Sequence, residues 1–150
     1  LLLAGIATKQ NRSLTSLEHH RDRYRKVKSY LELLGLDTGR LHHAPLRRFD
    51  GFDWYSVPLG PLPDNIQLVV CDGLPGSTRG GRYGLVWGFG KLASNCVVLL
   101  DDCSRPGEKA VVDKWAKRLP LNVSEHGVER AYARITLVPA ATDHRLNETV

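Results

Sequence analysis

The chain has no methionine among its 150 residues, only three cysteines, and no apolar run long enough to cross a bilayer. Each scarcity excludes something. A membrane-spanning helix needs about 18 consecutive apolar residues, and no stretch approaches that, so no membrane partner is expected. Cys71, Cys96 and Cys103 are odd in number and lack metal-finger spacing. That argues against a zinc module and against a secreted disulfide scaffold. Cys71 and Cys96 lie inside apolar runs, which suits reduced core thiols in a cytoplasmic protein. The opening Leu1-Leu2-Leu3-Ala4-Gly5-Ile6-Ala7 is apolar but short, with neither an initiator Met nor a basic region before it. It reads as the start of a fragment rather than as a signal peptide. Internal repeats and low-complexity segments are missing as well.

What remains is ordinary for one globular domain spanning 1–150. The apolar fraction is 42% and the charged fraction 25%, enough apolar surface to build a core at this length. The net charge of +5 raises the question of nucleic acid. Much of the excess is Arg21, Arg23, Arg25, Lys26 and Lys28, in a segment where Tyr24, Val27, Leu31 and Leu34 recur at helical spacing. The basic residues therefore occupy the solvated face of an amphipathic helix. Without aromatic and basic interleaving of the RNA-binding type, no nucleic-acid partner is expected.

Along the chain, Leu1 to Lys9 reads as helix, Leu14 to Glu18 as a short strand, and Arg21 to Leu34 as the amphipathic helix closed by Gly35. Arg40 to Ala44 forms a further short strand stopped by Pro45. Leu46 to Asn65 is turn-rich, punctuated by Pro58, Gly60, Pro61 and Pro63, with Trp54 and Tyr55 anchoring it. Ile66 to Cys71 and Cys96 to Leu100 are near-continuous apolar runs, which suit strands buried on both faces of a parallel sheet. Between them come a loop with five glycines, Gly73 to Gly84, and a helix from about Leu85 to Ala93. Pro106 and Glu108 open a helix with Val111, Trp115 and Leu119 on one face. Strands near Leu121 to Glu125 and Tyr132 to Leu137 follow, and the polar tail from Pro139 is expected to fray. Alternating strands and helices predict an α/β fold with a doubly wound, mostly parallel sheet. The last two strands are joined too tightly for a crossover helix, so one antiparallel strand lies near the C-terminus.

In such a sheet a ligand sits beyond the carboxyl ends of the strands. Four expected strands end there on Glu18, on His43-Ala44-Pro45, on Asp72 and on Asp101-Asp102. Glu18 suits a ribose-binding carboxylate and equally an acid at the start of the next helix. Asp72, Asp101 and Asp102 could together hold a divalent cation such as Mg²⁺; one could instead act as general base, and Asp101 or Asp102 could cap the helix near Pro106. The glycine-rich loop lacks the Gly-Lys-Ser/Thr ending of a P-loop. It reads as a lip over an acceptor site, with Arg79 and Arg82 open to an anionic group, or as an ordinary long turn. His19, His20, His42, His43 and His126 show no metal-ligand spacing.

Taken in order, Ser16-Leu17-Glu18-His19, His43-Ala44-Pro45-Leu46, Asp72-Gly73-Leu74-Pro75-Gly76 and Leu99-Leu100-Asp101-Asp102 resemble successive strand ends of class I S-adenosylmethionine-dependent methyltransferases. The resemblance is to small bacterial members of the catechol and caffeoyl-CoA O-methyltransferase branch, and runs from about Leu1 to Leu137. It implies a Rossmann-like fold whose first strand and glycine-rich turn would precede Leu1. It further implies that Glu18, with His19 beside it, binds the ribose of S-adenosylmethionine, and that His43, Ala44 and Pro45 lie beside the adenine. Asp72 would face the methionine end or the reacting centre, and Asp72 and Asp102 would be the catalytic carboxylates. In metal-dependent relatives, positions matching Asp72 and Asp101 or Asp102 hold Mg²⁺. This chain departs from them, with Gly73-Leu74-Pro75-Gly76 replacing a second acidic position and Asp102 standing where Asn is frequent. The implied activity is methyl transfer to an oxygen or nitrogen of a small-molecule acceptor; the alternative is a non-catalytic Rossmann-like domain that binds a nucleotide or a partner. A dehydrogenase fits the Asp101-Asp102 strand end less well. The chain as given, without that first strand, is expected to bind the cofactor poorly and to be inactive.

Overall fold

A computed structural model describes residues 1–56, 62–128 and 130–138. Pro58, Gly60 and Pro61 of the turn-rich segment, and the tail from Pro139, lie outside the described residues. The chain is a mixed α/β protein built as two compact units, Leu1–Asn65 with Gly73–Lys91, and Ile66–Asp72 with Leu92–Val150.

The first unit opens with α1 (Leu2–Lys9). Strand β1 (Ser16–Glu18) pairs in parallel with β2 (Leu41–His43), placing Glu18 opposite His43. Parallel neighbours need a crossover, and here it is α2 (Arg21–Leu33), which packs on both strands. Leu31 is buried against them while Arg21, Arg23, Arg25 and Lys26 are exposed, as the helical spacing predicts. Leu34 departs from that expectation: it lies past the last helical residue and is exposed. Gly35 ends the helix at φ +63°, where the Leu36 N–H reaches the Leu31 carbonyl and the Gly35 N–H the Glu32 carbonyl. This is the left-handed cap that glycine makes inexpensive.

The segment after Pro45, expected to be only turns, contains an antiparallel hairpin of β3 (Leu46–Arg48) and β4 (Asp53–Tyr55). Three-residue strands are too short for their alternation to be legible. The helix expected from Leu85 to Ala93 is instead a 3-10 helix over Gly81–Lys91, and Leu92 and Ala93 belong to the following strand. Glycines at 81, 84, 88 and 90 lower α-helical propensity and let β4 approach closely. A side chain at Gly84 would occupy the place of the Trp54 ring, and one at Gly80 (φ +74°) the place of the Phe52 Cβ.

The second unit is a four-stranded sheet in the order β5 (Ile66–Cys71), β6 (Leu92–Leu100), β8 (Tyr132–Leu137), β7 (Leu121–His126), with α3 (Pro106–Ala116) between β6 and β7 in sequence. β5 and β6 are parallel; β8 is antiparallel to both β6 and β7. The antiparallel strand expected near the C-terminus is therefore present, one place in from the edge. Its core comprises Cys96, Val98 and Leu100 of β6, Ala133 and Ile135 of β8, and Val111 and Trp115 of α3. The expectation that both apolar runs are buried on both faces fails for β5. As the terminal strand it leaves Leu68 51% and Val70 45% exposed.

Candidate functional site

In the first unit the residues expected to meet a nucleoside do come together. Glu18 and His43 end adjacent parallel strands in register, and the Ala44 N–H donates to the Glu18 carbonyl at 2.8 Å, extending the pairing by one residue. The Glu18 carboxylate is half-buried. Its Oε1 accepts the backbone N–H of His20, the residue preceding α2, at 2.7 Å, and lies 3.3 Å from His19 Nδ1. Its Oε2 accepts no hydrogen bond among the described residues. The first contact is what an acid at a helix entrance makes; the open second oxygen is what a hydroxyl-binding carboxylate needs. Ala44 is fully buried and Pro45 exposed. His43 presents its ring 5.5 Å from that of Tyr24 on α2.

Tyr55 was not among the residues singled out for a site. Its ring lies 6.4 Å from that of His19, and its hydroxyl stands where a side chain on residue 73 would be. Gly73 thus lets the Tyr55 hydroxyl approach closely, and it opens the glycine-rich loop. The next residue, Leu74, is buried at φ +76°, a conformation costly for a bulky side chain. Backbone strain of this kind collects at binding sites.

Arg79 and Arg82, read as open to an anion, are both engaged. Arg82 is 2% exposed and its Nε donates to the Gly73 carbonyl at 3.0 Å, bracing the loop. Arg79 donates to the Phe49 carbonyl at 2.6 Å and faces Asp53 at 3.7 Å. Around them Phe49, Phe52, Tyr83 and Trp87 form one aromatic cluster, with Phe49 and Trp87 rings edge to face at 4.1 Å. The sequence shows half of this cluster, Phe49 and Phe52 flanking Gly51; Tyr83 and Trp87 come from the distant 3-10 helix.

In the second unit Asp72 and Asp101 follow Cys71 and Leu100, which are partners across β5 and β6. The Asp101 N–H donates to the Cys71 carbonyl at 3.1 Å, so the two acids extend neighbouring strands about 4.8 Å apart. Asp102 turns away into the left-handed region at φ +60° and its carboxylate lies 2.7 Å from Arg105. The residue preceding α3 is Arg105, and no side chain caps that helix. Among the described residues no three His, Cys, Asp or Glu side chains are gathered as a metal-holding group. Asp102 is thus engaged by Arg105, while Asp72 and Asp101 extend the two strand ends.

Cys96 and Cys103 are buried thiols, and all three cysteines are unbridged. Burial pushes the Cys96 thiol above its ordinary value of 9.0, as expected where the charged form is desolvated. A cavity of about 60 Å³ lies at the other end of β1 and β2, lined by Ala7, Arg12, Leu31, Asp37 and Arg40 among others. That is room for a few waters and not for a nucleoside. Among the described residues no helix is long and apolar enough to cross a membrane. Comparison with protein-family models, with curated proteins and with solved structures finds no match to this chain.

Proposed function

We propose that the chain belongs to a Rossmann-like methyltransferase that moves a methyl group from S-adenosylmethionine to an oxygen or nitrogen of a small-molecule acceptor. The observation that carries this reading is the Glu18 carboxylate. It ends a parallel strand beside the end of its neighbour, is fixed through Oε1 by the backbone of His20, and keeps Oε2 without a hydrogen bond among the described residues. In open α/β sheets this is where ribose hydroxyls are received, and a carboxylate accepts both in a charge-assisted pair of bonds. Pro45 supplies apolar surface for adenine at the adjacent strand end, fixed there by its buried neighbour Ala44, and His43 a polar edge.

Bound S-adenosylmethionine supplies a methyl group already activated on a sulfonium. The protein's part is alignment and proton removal. Asp72 receives the proton of the acceptor nucleophile as its lone pair forms the bond to the methyl carbon and the carbon–sulfur bond breaks toward sulfur. Asp101 follows the adjacent strand, its N–H held by the Cys71 carbonyl beside Asp72. Asp102 serves here as a positioning residue that holds the turn after β6 through Arg105.

Titration calorimetry of S-adenosylhomocysteine into the full-length protein tests the reading. Glu18→Gln keeps size and one acceptor but loses the charge, and a binding-site hydrogen bond to a charged group contributes about 1.5–3 kcal/mol. An affinity loss of roughly 10- to 100-fold is therefore expected. The absence of any binding to the unaltered full-length protein would overturn the methyltransferase reading. The non-catalytic alternative then takes its place, favoured by the commitment of Asp102 to Arg105.

A further inference from the structure

The glycine-rich loop from Gly73 to Arg82 is held at both ends, and much of the hold comes from the β3–β4 hairpin. At the far end the Asp53 N–H donates to the Arg79 carbonyl at 2.8 Å, and Arg79 donates to the Phe49 carbonyl at 2.6 Å. At the near end Arg82 donates to the Gly73 carbonyl at 3.0 Å, and the Tyr55 hydroxyl fills the space where a side chain on Gly73 would be. Between the two ends Leu74 is buried at φ +76°, while Pro75, Gly76 and Ser77 are exposed. A bulky residue keeps a left-handed backbone only where its surroundings impose it. Tyr55 is a constraint on the residue before Leu74 that comes from outside the loop.

Tyr55 also faces Glu18. Its ring centre is 6.4 Å from that of His19, with the planes inclined at 56°, and His19 Nδ1 is 3.3 Å from Glu18 Oε1. Strand β4 ends on Tyr55, which pairs with Leu46, the residue after Pro45. One phenol therefore stands between the Glu18–His19 pair and the start of the loop, and all of these residues belong to the first unit. Packed side chains transmit strain, so a change at the carboxylate reaches Gly73 through two rings.

We infer that Tyr55 is a positioning residue, which holds Gly73 and Leu74 in place and couples the glycine-rich loop to the nucleoside that Glu18 receives. With Glu18 occupied, His19 is fixed beside the carboxylate and Tyr55 is fixed against His19. The loop from Gly73 to Arg82 then loses freedom to open. Occupation of Glu18 and ordering of the loop favour each other, and the coupling is reciprocal. Only the identity of the ligand, S-adenosylmethionine, rests on the methyltransferase reading; the hold of Tyr55 on the loop does not.

Hydrogen exchange on the full-length protein tests both parts, and the first needs no ligand. A methyl group on residue 73 collides with the Tyr55 hydroxyl, but the Cζ that carries the hydroxyl lies 3.7 Å away, an ordinary contact. Gly73 is not left-handed, so the collision is the whole cost of the methyl. Gly73→Ala is expected to speed amide exchange across residues 74–82 at least about tenfold, with exchange in β6 unchanged. In a Tyr55→Phe background the same methyl should add less than about twofold. Equal acceleration in both backgrounds would overturn the inference, because the loop would not then rest on the hydroxyl. The second part adds saturating S-adenosylhomocysteine, which should slow exchange across 74–82 at least about fivefold in the parent and have little effect there in Tyr55→Leu. A merely structural Tyr55 would loosen the ligand-free loop and leave the ligand's effect intact. Protection as large in Tyr55→Leu as in the parent would therefore overturn the coupling. If S-adenosylhomocysteine does not bind the parent, the methyltransferase reading falls, and the Gly73–Tyr55 comparison alone decides whether Tyr55 holds the loop.

Discussion

Gly84 has no side chain because the Trp54 ring fills the space one would need. The crowding atoms belong to a ring wedged between β4 and the 3-10 helix, so they cannot simply swing aside. Gly84→Ala is expected to destabilise the protein by about 1–3 kcal/mol, the range for overpacking, read as a lower urea midpoint. Gly35→Ala shares none of this crowding, since nothing lies near its would-be side chain; its cost is the left-handed backbone alone, about 1 kcal/mol. Cys96 makes a prediction in pH. Its thiol is held above 9.0 by desolvation, so the fold favours the neutral form. The contribution is complete below the ordinary value and is lost as pH rises through the raised one, because the unfolded chain ionises first. Cys96→Ala should therefore show a smaller fall in melting temperature as pH rises past 9.0 than the parent protein. An identical fall in both would assign the alkaline limb to other groups.

At the scale of elements, the outcome turns on length and on neighbours. Elements with a strong local cause were legible: α2 from its apolar spacing and the cap at Gly35, α3 from Pro106 at its first turn, β6 from its apolar run. The β3–β4 hairpin was not, because three-residue strands carry a single alternation and the Phe49–Phe52 turn resembles any other loop. The 3-10 helix was misread as α-helix because its apolar residues, Leu85, Val86 and Phe89, fit either period. β5 was legible as a strand but not as an edge, since strand order is a tertiary fact. That edge has a consequence. Ile66–Cys71 contains no charge and no proline, and Leu68 and Val70 are exposed, the composition that lets edge strands pair with other chains. Val70→Lys is expected to reduce light scattering on concentration or mild heating while leaving the melting temperature nearly unchanged. Buried Trp115 provides the contrast. Trp115→Ala should cost about 3–5 kcal/mol, and its denaturant midpoint should fall well below that of Val70→Lys.

At the scale of the whole molecule, each unit carries its own group of candidate residues, and this sets what each variant reports. Glu18, His43, Ala44 and Pro45 were legible as strand ends, and the pairing of β1 with β2 brings them together. Asp72 and Asp101 were legible in the same way and do extend adjacent strands. Tyr55 was not legible in its role, because a hydroxyl set against Gly73 is a contact between segments distant in sequence; Asp102 was not, because a left-handed backbone at a residue other than glycine leaves no mark in the sequence. If Glu18 holds the ribose and Asp72 takes the proton, their substitutions must separate. Glu18→Gln should weaken S-adenosylhomocysteine binding and raise KM for the methyl donor with little change in kcat. Asp72→Asn should leave that affinity nearly intact and lower kcat by about 10²–10⁴-fold, the usual contribution of a general base, with the loss shrinking as pH rises and the acceptor ionises without help. Stopped single-turnover kinetics on the full-length protein measure both quantities, and a kcat for Asp72→Asn equal to the parent's at every pH would remove Asp72 from the chemistry.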